Sequence, residues 1–201
     1  MNFRKDLSNT TLDEIKKRQL VRFPLVKEWI EFVGIKNGDT VLDIGPGPGT
    51  FTLQYSNIVG EKGKIIAFEK SEEVTEYLKA ELQKESIYNV EVQIGDAEKH
   101  IGVDKDKINI VMLTDILHHA ESPYQIMKNI HSLTISKKVK ILISEFDPNA
   151  EGVIGPPLIN RIDMEVMKNW AAELDFGILK EGKQNFEHYF ILLESQSPVL
   201  H

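Results

Sequence analysis

Residues 41–52 read VLDIGPGPGTFT, and this stretch decides the fold. A short apolar run containing one acidic residue leads into three glycines at alternating positions, Gly45, Gly47 and Gly49. Glycine has no Cβ, so a turn built from it can adopt positive φ angles and let a ligand lie against bare backbone. Where such a turn joins a buried strand to a helix, the first helical turn adds free N–H donors. The stretch therefore predicts a strand, a turn and a helix that together bind a nucleotide-like ligand.

Apolar runs on both sides of this stretch predict the rest of a sheet. Segments with apolar residues at helical spacing separate the first five runs, which implies a doubly wound, Rossmann-like parallel sheet with helices on both faces. The last two runs are joined by a turn around residues 182–185, too short for a helical crossover, so we expect seven strands with the last one antiparallel. The expected strands span residues 41–44, 65–68, 90–94, 108–113, 139–144, 176–179 and 189–193.

Chain length indicates a single domain, because 201 residues are enough for one α/β core and few for two. Residues 1–34 carry apolar positions at helical spacing before and after Pro24. We expect them to form a helical cap that packs across the end of the sheet, covers the ligand as a lid, or does both. Residues 35–201 are the expected ligand-binding core. Within it, a loop rich in glycine and proline at 146–157 precedes a predicted helix at 158–174, and this loop and the cap are expected to roof the substrate pocket.

Composition limits the classes of function. The formal net charge of −7 disfavours nucleic acid as a partner, because a phosphate backbone selects for clustered lysine and arginine. The chain has no cysteine, which excludes disulfides, thiolate metal sites and a cysteine nucleophile. No apolar run approaches the length of a membrane span, and the first residues lack the apolar core of a signal peptide. We therefore expect a cytoplasmic protein without a membrane span, whose oligomeric state does not follow from the sequence.

Acidic residues stand at the predicted carboxyl ends of the first three strands, where ligands bind in a doubly wound sheet. These residues are Asp43, Glu69 and Asp96, and Thr114 and Asp115 follow the fourth strand. An ionised carboxylate only accepts hydrogen bonds, so this set is a poor cradle for phosphates. It suits ribose hydroxyls, an exocyclic amine and a cationic centre.

Residues 43–49, DIGPGPG, match in all four defining positions the D-x-G-x-G-x-G motif of the class I S-adenosylmethionine-dependent methyltransferases. Glu69 stands where that family has its ribose-binding acid, and GDAE at 95–98 is similar to its adenine-binding segment. LTDILHHAESP at 113–123 is similar to the segment after its fourth strand. From about residue 25 to 195 the chain thus resembles this family, and more narrowly its small type 11-like members similar to the ubiquinone and menaquinone biosynthesis methyltransferases.

The resemblance implies that S-adenosylmethionine is the methyl donor, that S-adenosylhomocysteine is the product and that no metal is needed. It implies that Asp43 is oriented toward the amino group of the methionine moiety, Glu69 toward the ribose hydroxyls and Asp96 toward the adenine amine. Thr114 is expected to line the sulfonium end. The complete set of implied cofactor-binding residues is Asp43, Gly45, Gly47, Gly49, Glu69, Lys70, Asp96, Ala97 and Thr114.

A general base is required only if the methyl acceptor is a hydroxyl or an acidic carbon. His118, His119 and His188 are the candidates, because imidazole titrates near neutral pH, although a histidine pair at a helix start can equally cap and pack. Asp115 and Asp147, with Asn149 nearby, offer oxygen ligands of the kind magnesium prefers. Their spacing differs from the adjacent Asp-Asn pair of the catechol-methylating enzymes, so no metal site is expected.

Methylation of a small molecule is the function that these features favour, since the chain has no added domain for a large substrate. One alternative is a protein that binds S-adenosylmethionine or S-adenosylhomocysteine without turnover. Another is an NAD(P)-dependent dehydrogenase, whose G-x-G-x-x-G motif needs glycine or alanine where this chain has Thr50. The antiparallel last strand also argues against the dehydrogenase.

Overall fold

Seven strands form one sheet in the computed structural model, which describes residues 10–196. In chain order they are β1 (Thr40–Ile44), β2 (Lys64–Glu69), β3 (Val90–Ile94), β4 (Ile110–Thr114), β5 (Lys140–Phe146), β6 (Phe176–Gln184) and β7 (His188–Ser195). The spatial order is β3-β2-β1-β4-β5-β7-β6. Strand β7 runs antiparallel to both of its neighbours and the other pairs are parallel. The expected doubly wound sheet with an antiparallel last strand is confirmed.

The described helices lie on both faces of this sheet. They are α1 (Leu12–Val21), α2 (Phe23–Val33), α3 (Thr50–Val59), α4 (Glu72–Lys84), α5 (Pro123–Thr134) and α6 (Met164–Glu173). Strand β4 is buried at every position, and its side chains alternate between two cores. Val111 and Leu113 belong to the core formed with α5 and α6, whereas Ile110 and Met112 belong to the core formed with α2 and α3. Burial on both faces explains why β4 reads as a continuous apolar run.

The N-terminal segment forms two helices with different roles. Thr11 and Glu14 make a reciprocal capping box at the start of α1, with the Thr11 hydroxyl oxygen 3.2 Å from the Glu14 nitrogen. In α2, Leu25 and Trp29 are fully buried and pack with Tyr55 on one face of the sheet. The polar helix α1 buries Gln19 instead of an apolar face. Thus α2 is part of the core, and the cap predicted for residues 1–34 includes residues 1–9, which lie outside the described residues.

The predicted start of the helix at 158–174 is wrong, because α6 begins about a turn and a half later. Residues 158–160 form a short 3₁₀ turn, the chain is extended at Arg161, and α6 begins at Met164. Two interactions fix this break. The Arg161 side chain donates to the carbonyl oxygens of Pro156 and Asp147, and the Asp163 carboxylate caps α6 by accepting from the Glu165 N–H at 2.8 Å.

The turn predicted at 182–185 is also wrong, because β6 continues to Gln184. Gly182 lies opposite Phe190 of β7, and a Cβ on it would lie 3.0 Å from the Phe190 ring. The glycine therefore serves close packing between strands. The turn itself uses Phe186 and Glu187, both with positive φ.

Within residues 10–196, no helix has the length and apolar character that crossing a membrane requires. The cytoplasmic location inferred from the sequence stays a prediction, and so does the boundary between a cap and a core at residue 35.

Candidate functional site

The glycine turn after β1 has the conformation that its sequence predicts. Gly45, Gly47 and Gly49 have φ angles of 70°, 56° and 85°, all in the left-handed region. A Cβ on Gly45 would lie 2.4 Å from Ile116 Cδ1, so a side chain at that position would collide as well as strain the backbone. Helix α3 begins at Thr50, directly after the turn. The turn thus brings bare backbone and a helix N-terminus to the carboxyl end of the sheet.

Helix α1 closes one side of the turn through Gln19. The Thr50 N–H donates to Gln19 Oε1 at 3.2 Å, and Gln19 Nε2 donates to the Pro46 carbonyl oxygen at 3.2 Å. Gln19 is buried, and it supplies a cap that Gly49 cannot, since glycine has no side chain. The role of Gln19 does not follow from the sequence, because no residue near it indicates a contact across about thirty residues of chain.

A cleft of about 420 Å³, open to solvent, lies between the ends of β1, β2 and β3 and the turn after β4. The cleft brings together six residues that the sequence singled out. These six are Gly45, Glu69, Lys70, Asp96, Ala97 and His119. The remaining wall is mainly apolar and includes Phe68, Ile116 and Ile126.

Glu69 is fixed at the end of β2 with its carboxylate in the cleft wall. Its Oε1 accepts from the N–H groups of Lys70 at 2.9 Å and Ser71 at 3.0 Å. Burial raises the pKa of Glu69, and hydrogen bonds from the backbone N–H groups of Ser71, Lys70 and Gly47 act in the opposite direction. The bond from Gly47 links this carboxylate to the glycine turn, so Glu69 connects the cleft to the turn.

Asp43 lies behind the glycine turn and does not line the cleft. Its side chain is buried, and its Oδ2 accepts from the Thr52 hydroxyl at 2.7 Å, which ties β1 to α3. Burial raises the pKa of Asp43 to about 7, although the bond from Thr52 lowers it. Near neutral pH this carboxyl group therefore titrates at the floor of the site.

Buried polar atoms without a hydrogen-bond partner are concentrated around this floor. Within residues 10–196 these atoms are Arg22 Nε, Thr50 Oγ1, the Tyr55 hydroxyl and Asp115 Oδ2. Burial raises the pKa of Tyr55 well above its ordinary value and the nearby charge of Asp43 adds to the effect, whereas the Thr114 side chain beside the hydroxyl acts in the opposite direction. Arg22 Nε and Asp115 Oδ2 form an ion pair with each other, and the Tyr55 hydroxyl lies beside Thr114, so Thr50 Oγ1 is the atom of this set left with the cost of about 1–3 kcal/mol for an unpaired buried polar group. These four lie on segments that meet at the ends of β1 and β4.

Asp115, which follows β4, is held between two cations. Its Oδ2 lies 2.7 Å from Arg22 Nε, without the alignment of a hydrogen bond, and its Oδ1 lies 2.6 Å from His188 Nε2. Burial acts to raise the pKa of Asp115, but the charges of Arg22 and His188 outweigh it and hold the pKa well below its usual value. Asp115 also has a left-handed φ of 59°, which is strained for a residue with a Cβ.

His188 has both ring nitrogens engaged. Besides Asp115, it contacts the Phe186 carbonyl oxygen through Nδ1 at 2.6 Å. A carbonyl and an ionised carboxylate only accept hydrogen bonds, so both nitrogens donate and the ring carries a positive charge. The side chain is completely buried. The structure therefore gives His188 an ion pair and no free lone pair to take a proton.

His118 and His119 face different surroundings, although they are adjacent in a 3₁₀ turn. His118 is buried, and its Nδ1 lies 2.6 Å from Glu145 Oε2. Glu145 Oε1 also accepts from the Leu117 N–H at 2.6 Å, so one buried carboxylate holds the turn at two points. His119 lines the cleft, with its ring centre 4.1 Å from that of His118. Among the candidate histidines, His119 is the one at the cleft wall.

Asp115 and Asp147, the carboxylates that offer oxygen ligands of the kind magnesium prefers, are each held by a cationic side chain, and Asp147 also accepts from the Asn149 N–H at 3.0 Å. Asp115 is paired with Arg22 and His188, and Asp147 with Lys183. In the part of the chain that the structure describes, no group of three His, Asp or Glu side chains is placed to hold a metal ion.

Comparison with known proteins gives a family and several relatives. A family model described as a methyltransferase domain matches residues 35–190. A probable cobalt-precorrin-6B C(15)-methyltransferase of Sulfolobus acidocaldarius is 30% identical over 93 residues, which are 44% of this chain and 48% of the relative. A probable ribosomal RNA small subunit methyltransferase A of Methanothermobacter thermautotrophicus is 30% identical over 87% of this chain and 56% of the relative.

The chain spans about half the length of the cobalt-precorrin relatives that it matches. A protein-L-isoaspartate O-methyltransferase of Archaeoglobus fulgidus is 37% identical over 38% of this chain and 34% of the relative. Among solved structures, a SAM-dependent methyltransferase from Aquifex aeolicus superposes with a TM-score of 0.78 and 20% identity, covering 85% of this chain and 89% of the other. At that identity the superposition shows the fold.

Proposed function

The chain belongs to the methyltransferase-domain family, and from this premise we propose that it transfers a methyl group from S-adenosylmethionine to a small-molecule acceptor. The family and the fold confirm the resemblance to the class I methyltransferases. The acceptor class and the role of each site residue are the proposal.

The observation that carries the proposal is that the glycine turn and Glu69 line the same cleft. The backbone of Gly45 lines the same space as the carboxylates of Glu69 and Asp96, with Lys70 beside them. Carboxylates accept hydrogen bonds from hydroxyl and amine groups, which a nucleoside offers. A pyrophosphate would instead be repelled by two carboxylates. The adenosine part of S-adenosylmethionine therefore fits this cleft better than a dinucleotide does.

The unpaired Thr50 hydroxyl supports the placement of the methionine part. Thr50 Oγ1 is buried without a hydrogen-bond partner within residues 10–196, at the start of α3 and next to the glycine turn. The amino acid end of S-adenosylmethionine carries a cationic amine and a carboxylate, which a hydroxyl group can bind. Asp43 and Thr114 complete this set.

When bound, S-adenosylmethionine supplies an electrophilic methyl group on a sulfonium whose charge is lost on transfer. The chain's own residues align the reactants and exclude water. Gln19 holds α1 over the glycine turn, and Ile116 and Ile126 make an apolar wall. His119 is the residue placed at the cleft to accept a proton from a hydroxyl or an acidic carbon.

The relatives named above act on cobalt-precorrin, on protein and on ribosomal RNA. A small acceptor is favoured over RNA by the net charge of −7, because a phosphate backbone selects for clustered cations. The product of the methyl-transfer assay described next identifies the acceptor atom, and hence O-, N- or C-methylation.

Calorimetric titration with S-adenosylhomocysteine and with NADH is the first test. We expect binding of S-adenosylhomocysteine, and binding of NADH alone would reverse the assignment. Transfer of a labelled methyl group is then measured on a metabolite panel, an isoaspartyl peptide and a ribosomal RNA fragment. Label on a metabolite supports the proposal, and label on peptide or RNA alone contradicts the small-molecule class. Cofactor binding without any transfer indicates a non-catalytic protein.

A further inference from the structure

Residues 15–27, IKKRQLVRFPLVK, differ in charge from the rest of the chain. They contain five lysines and arginines and no acidic residue, whereas the whole chain has a net charge of −7. The segment covers most of α1, the junction at Arg22 and the first turn of α2. A cationic segment in an acidic protein indicates a partner with negative charge.

This segment exposes both apolar and cationic side chains. Leu20 is 51% exposed, Val21 58% and Phe23 40%. Lys17, Arg18 and Lys27 are exposed as well and make no ion pair within residues 10–196, whereas Lys16 and Arg22 are paired with Glu81 and Asp115. We call Lys17, Arg18, Leu20, Val21, Phe23 and Lys27 the N-terminal patch.

The N-terminal patch lies beside the proposed site. Gln19 and Arg22, in the same segment, contact the glycine turn and Asp115. The Arg22 guanidinium lies 5.4 Å from the centre of the Phe146 ring. On another side of that ring, a Cβ on Gly155 would lie 2.3 Å from Phe146 Cε1. The α1–α2 junction and the loop after β5 therefore meet at Phe146.

The loop after β5 adds exposed apolar side chains. Ile159 is 92% exposed, Val153 75% and Leu158 40%. Isolated exposed apolar residues are ordinary, but two groups of three on segments that meet beside one site are not scattered. The α1–α2 junction and the loop after β5 therefore both expose apolar side chains near Phe146.

We propose that the N-terminal patch docks this protein on an anionic lipid bilayer. Cations attract the anionic headgroups, and Leu20, Val21 and Phe23 enter the boundary between headgroups and acyl chains. Attraction of the cations to headgroups and insertion of the apolar side chains each give weak binding alone. A surface that offers both therefore favours an anionic bilayer as the partner. RNA would use the cations but would leave Leu20 and Val21 without a role, since bases stack on aromatic or guanidinium groups. Docking brings the α1–α2 junction, which contacts the glycine turn and Asp115, to the membrane surface.

Vesicle binding tests the proposal independently of methyl transfer. The full chain is sedimented with unilamellar vesicles of POPC alone and of POPC with POPG. We expect binding to the POPG vesicles that weakens as salt is raised, and little binding to POPC alone. The double variants Lys17→Glu with Arg18→Glu, and Val21→Ser with Phe23→Ser, should each weaken binding about tenfold or more.

Two control variants make the same kinds of substitution at exposed positions outside the N-terminal patch. Lys36→Glu with Lys62→Glu makes the same change in net charge at two other exposed lysines, and Ile58→Ser with Ile135→Ser removes two other exposed apolar side chains. Both controls should bind POPG vesicles like the parent, and thermal melts confirm that all four variants fold. The proposal is overturned by a lack of binding to POPG vesicles or by equal losses in the controls. Tighter binding to an RNA oligonucleotide, unaffected by the Val21 and Phe23 changes, would assign the patch to nucleic acid instead.

Discussion

Asp115 Oδ1 and His188 Nε2 lie 2.6 Å apart and join the turn after β4 to the start of β7. The pair is buried at the carboxyl edge of the sheet, next to the glycine turn, and Arg22 approaches the same carboxylate from the α1–α2 junction. Three segments far apart in sequence thus depend on one ionised carboxylate.

Replacing Asp115 should therefore destabilise the fold. Asp115→Asn leaves Arg22 and charged His188 without a counter-ion, and removing one partner of a buried pair costs about 3–5 kcal/mol. Because the pKa of Asp115 is depressed in the folded protein, its contribution to stability is present above pH ~4 and is lost as pH falls further. Urea unfolding between pH 3 and pH 7 measures both effects. The exposed control Glu61→Gln should change stability by less than about 0.5 kcal/mol, and an equal effect of the two variants would contradict the prediction.

The raised pKa of Asp43 predicts that stability falls with rising pH, whereas the depressed pKa of Asp115 makes stability rise with pH in a more acidic range. Its pKa is raised to about 7, so between pH ~4 and pH ~7 the folded state binds the proton that the unfolded state has lost. Stability contributed by this group should fall as pH rises through that window, and Asp43→Asn should flatten the fall. Urea midpoints measured every half unit of pH, for parent and variant, test it. Parallel profiles for the two proteins would show that Asp43 ionises normally.

Gly45→Ala should weaken binding of S-adenosylhomocysteine and destabilise the fold. The new Cβ meets Ile116 at 2.4 Å and the residue must hold a φ of 70°. Gly38→Ala is the matched control, because Gly38 has a φ of 91° but nothing within 4 Å of its Cβ position. Holding alanine at a positive φ lowers stability by about 1–2 kcal/mol in both variants, and the collision with Ile116 lowers it by about 1–3 kcal/mol more in Gly45→Ala. Thermal melts and calorimetry measure the difference, and equal effects in the two variants would show that space at Gly45 is irrelevant.

Glu69→Gln should reduce affinity for S-adenosylhomocysteine about tenfold or more, while the fold is kept. Loss of a charge-assisted hydrogen bond weakens binding by about 1.5–3 kcal/mol. Glu85→Gln, on the exposed end of α4, serves as the control. Titration calorimetry of both variants provides the measurement. Unchanged affinity in Glu69→Gln would remove Glu69 from the proposed site.

Glu145→Gln should change turnover more than cofactor binding. Glutamine can still accept from the Leu117 N–H but brings no charge to His118, whose ring packs against His119. We expect the pH profile of methyl transfer to shift and affinity for S-adenosylhomocysteine to stay within about twofold. A fall in activity with an unshifted pH profile would indicate a purely structural role for Glu145.

The sequence predicts the sheet and half of the site because both depend on local patterns. Gly45 and Glu69 were found from the spacing of glycines and from acids at strand ends. Glu145 carries the same signal, an acid directly after the fifth apolar run, and belongs with the residues at the ends of the first four strands. The missed turn at the last hairpin has a similar cause, since Gly182 looks like a turn residue until its partner Phe190 is known.

Gln19, Arg22 and Tyr55 could not have been found in this way. Each acts at the site through packing between segments distant in the chain, and no residue near them in sequence indicates it. The choice between His118 and His119 depends on the orientation of one 3₁₀ turn, which Glu145 fixes from another strand. Tertiary contacts therefore determine which histidine reaches the cleft.

The order of strands has a consequence for synthesis of the chain. Strand β6 pairs with β7 alone, and β7 lies between β5 and β6 although it is made last. While the ribosome is still adding β7, β6 has no strand to pair with, and the edge of β5 is open. The five parallel strands can assemble earlier, but closing the sheet waits for about twenty further residues after β6 begins. A chain that ends before residue 188 leaves β6 unpaired and one side of β5 open, and unpaired strand edges favour aggregation.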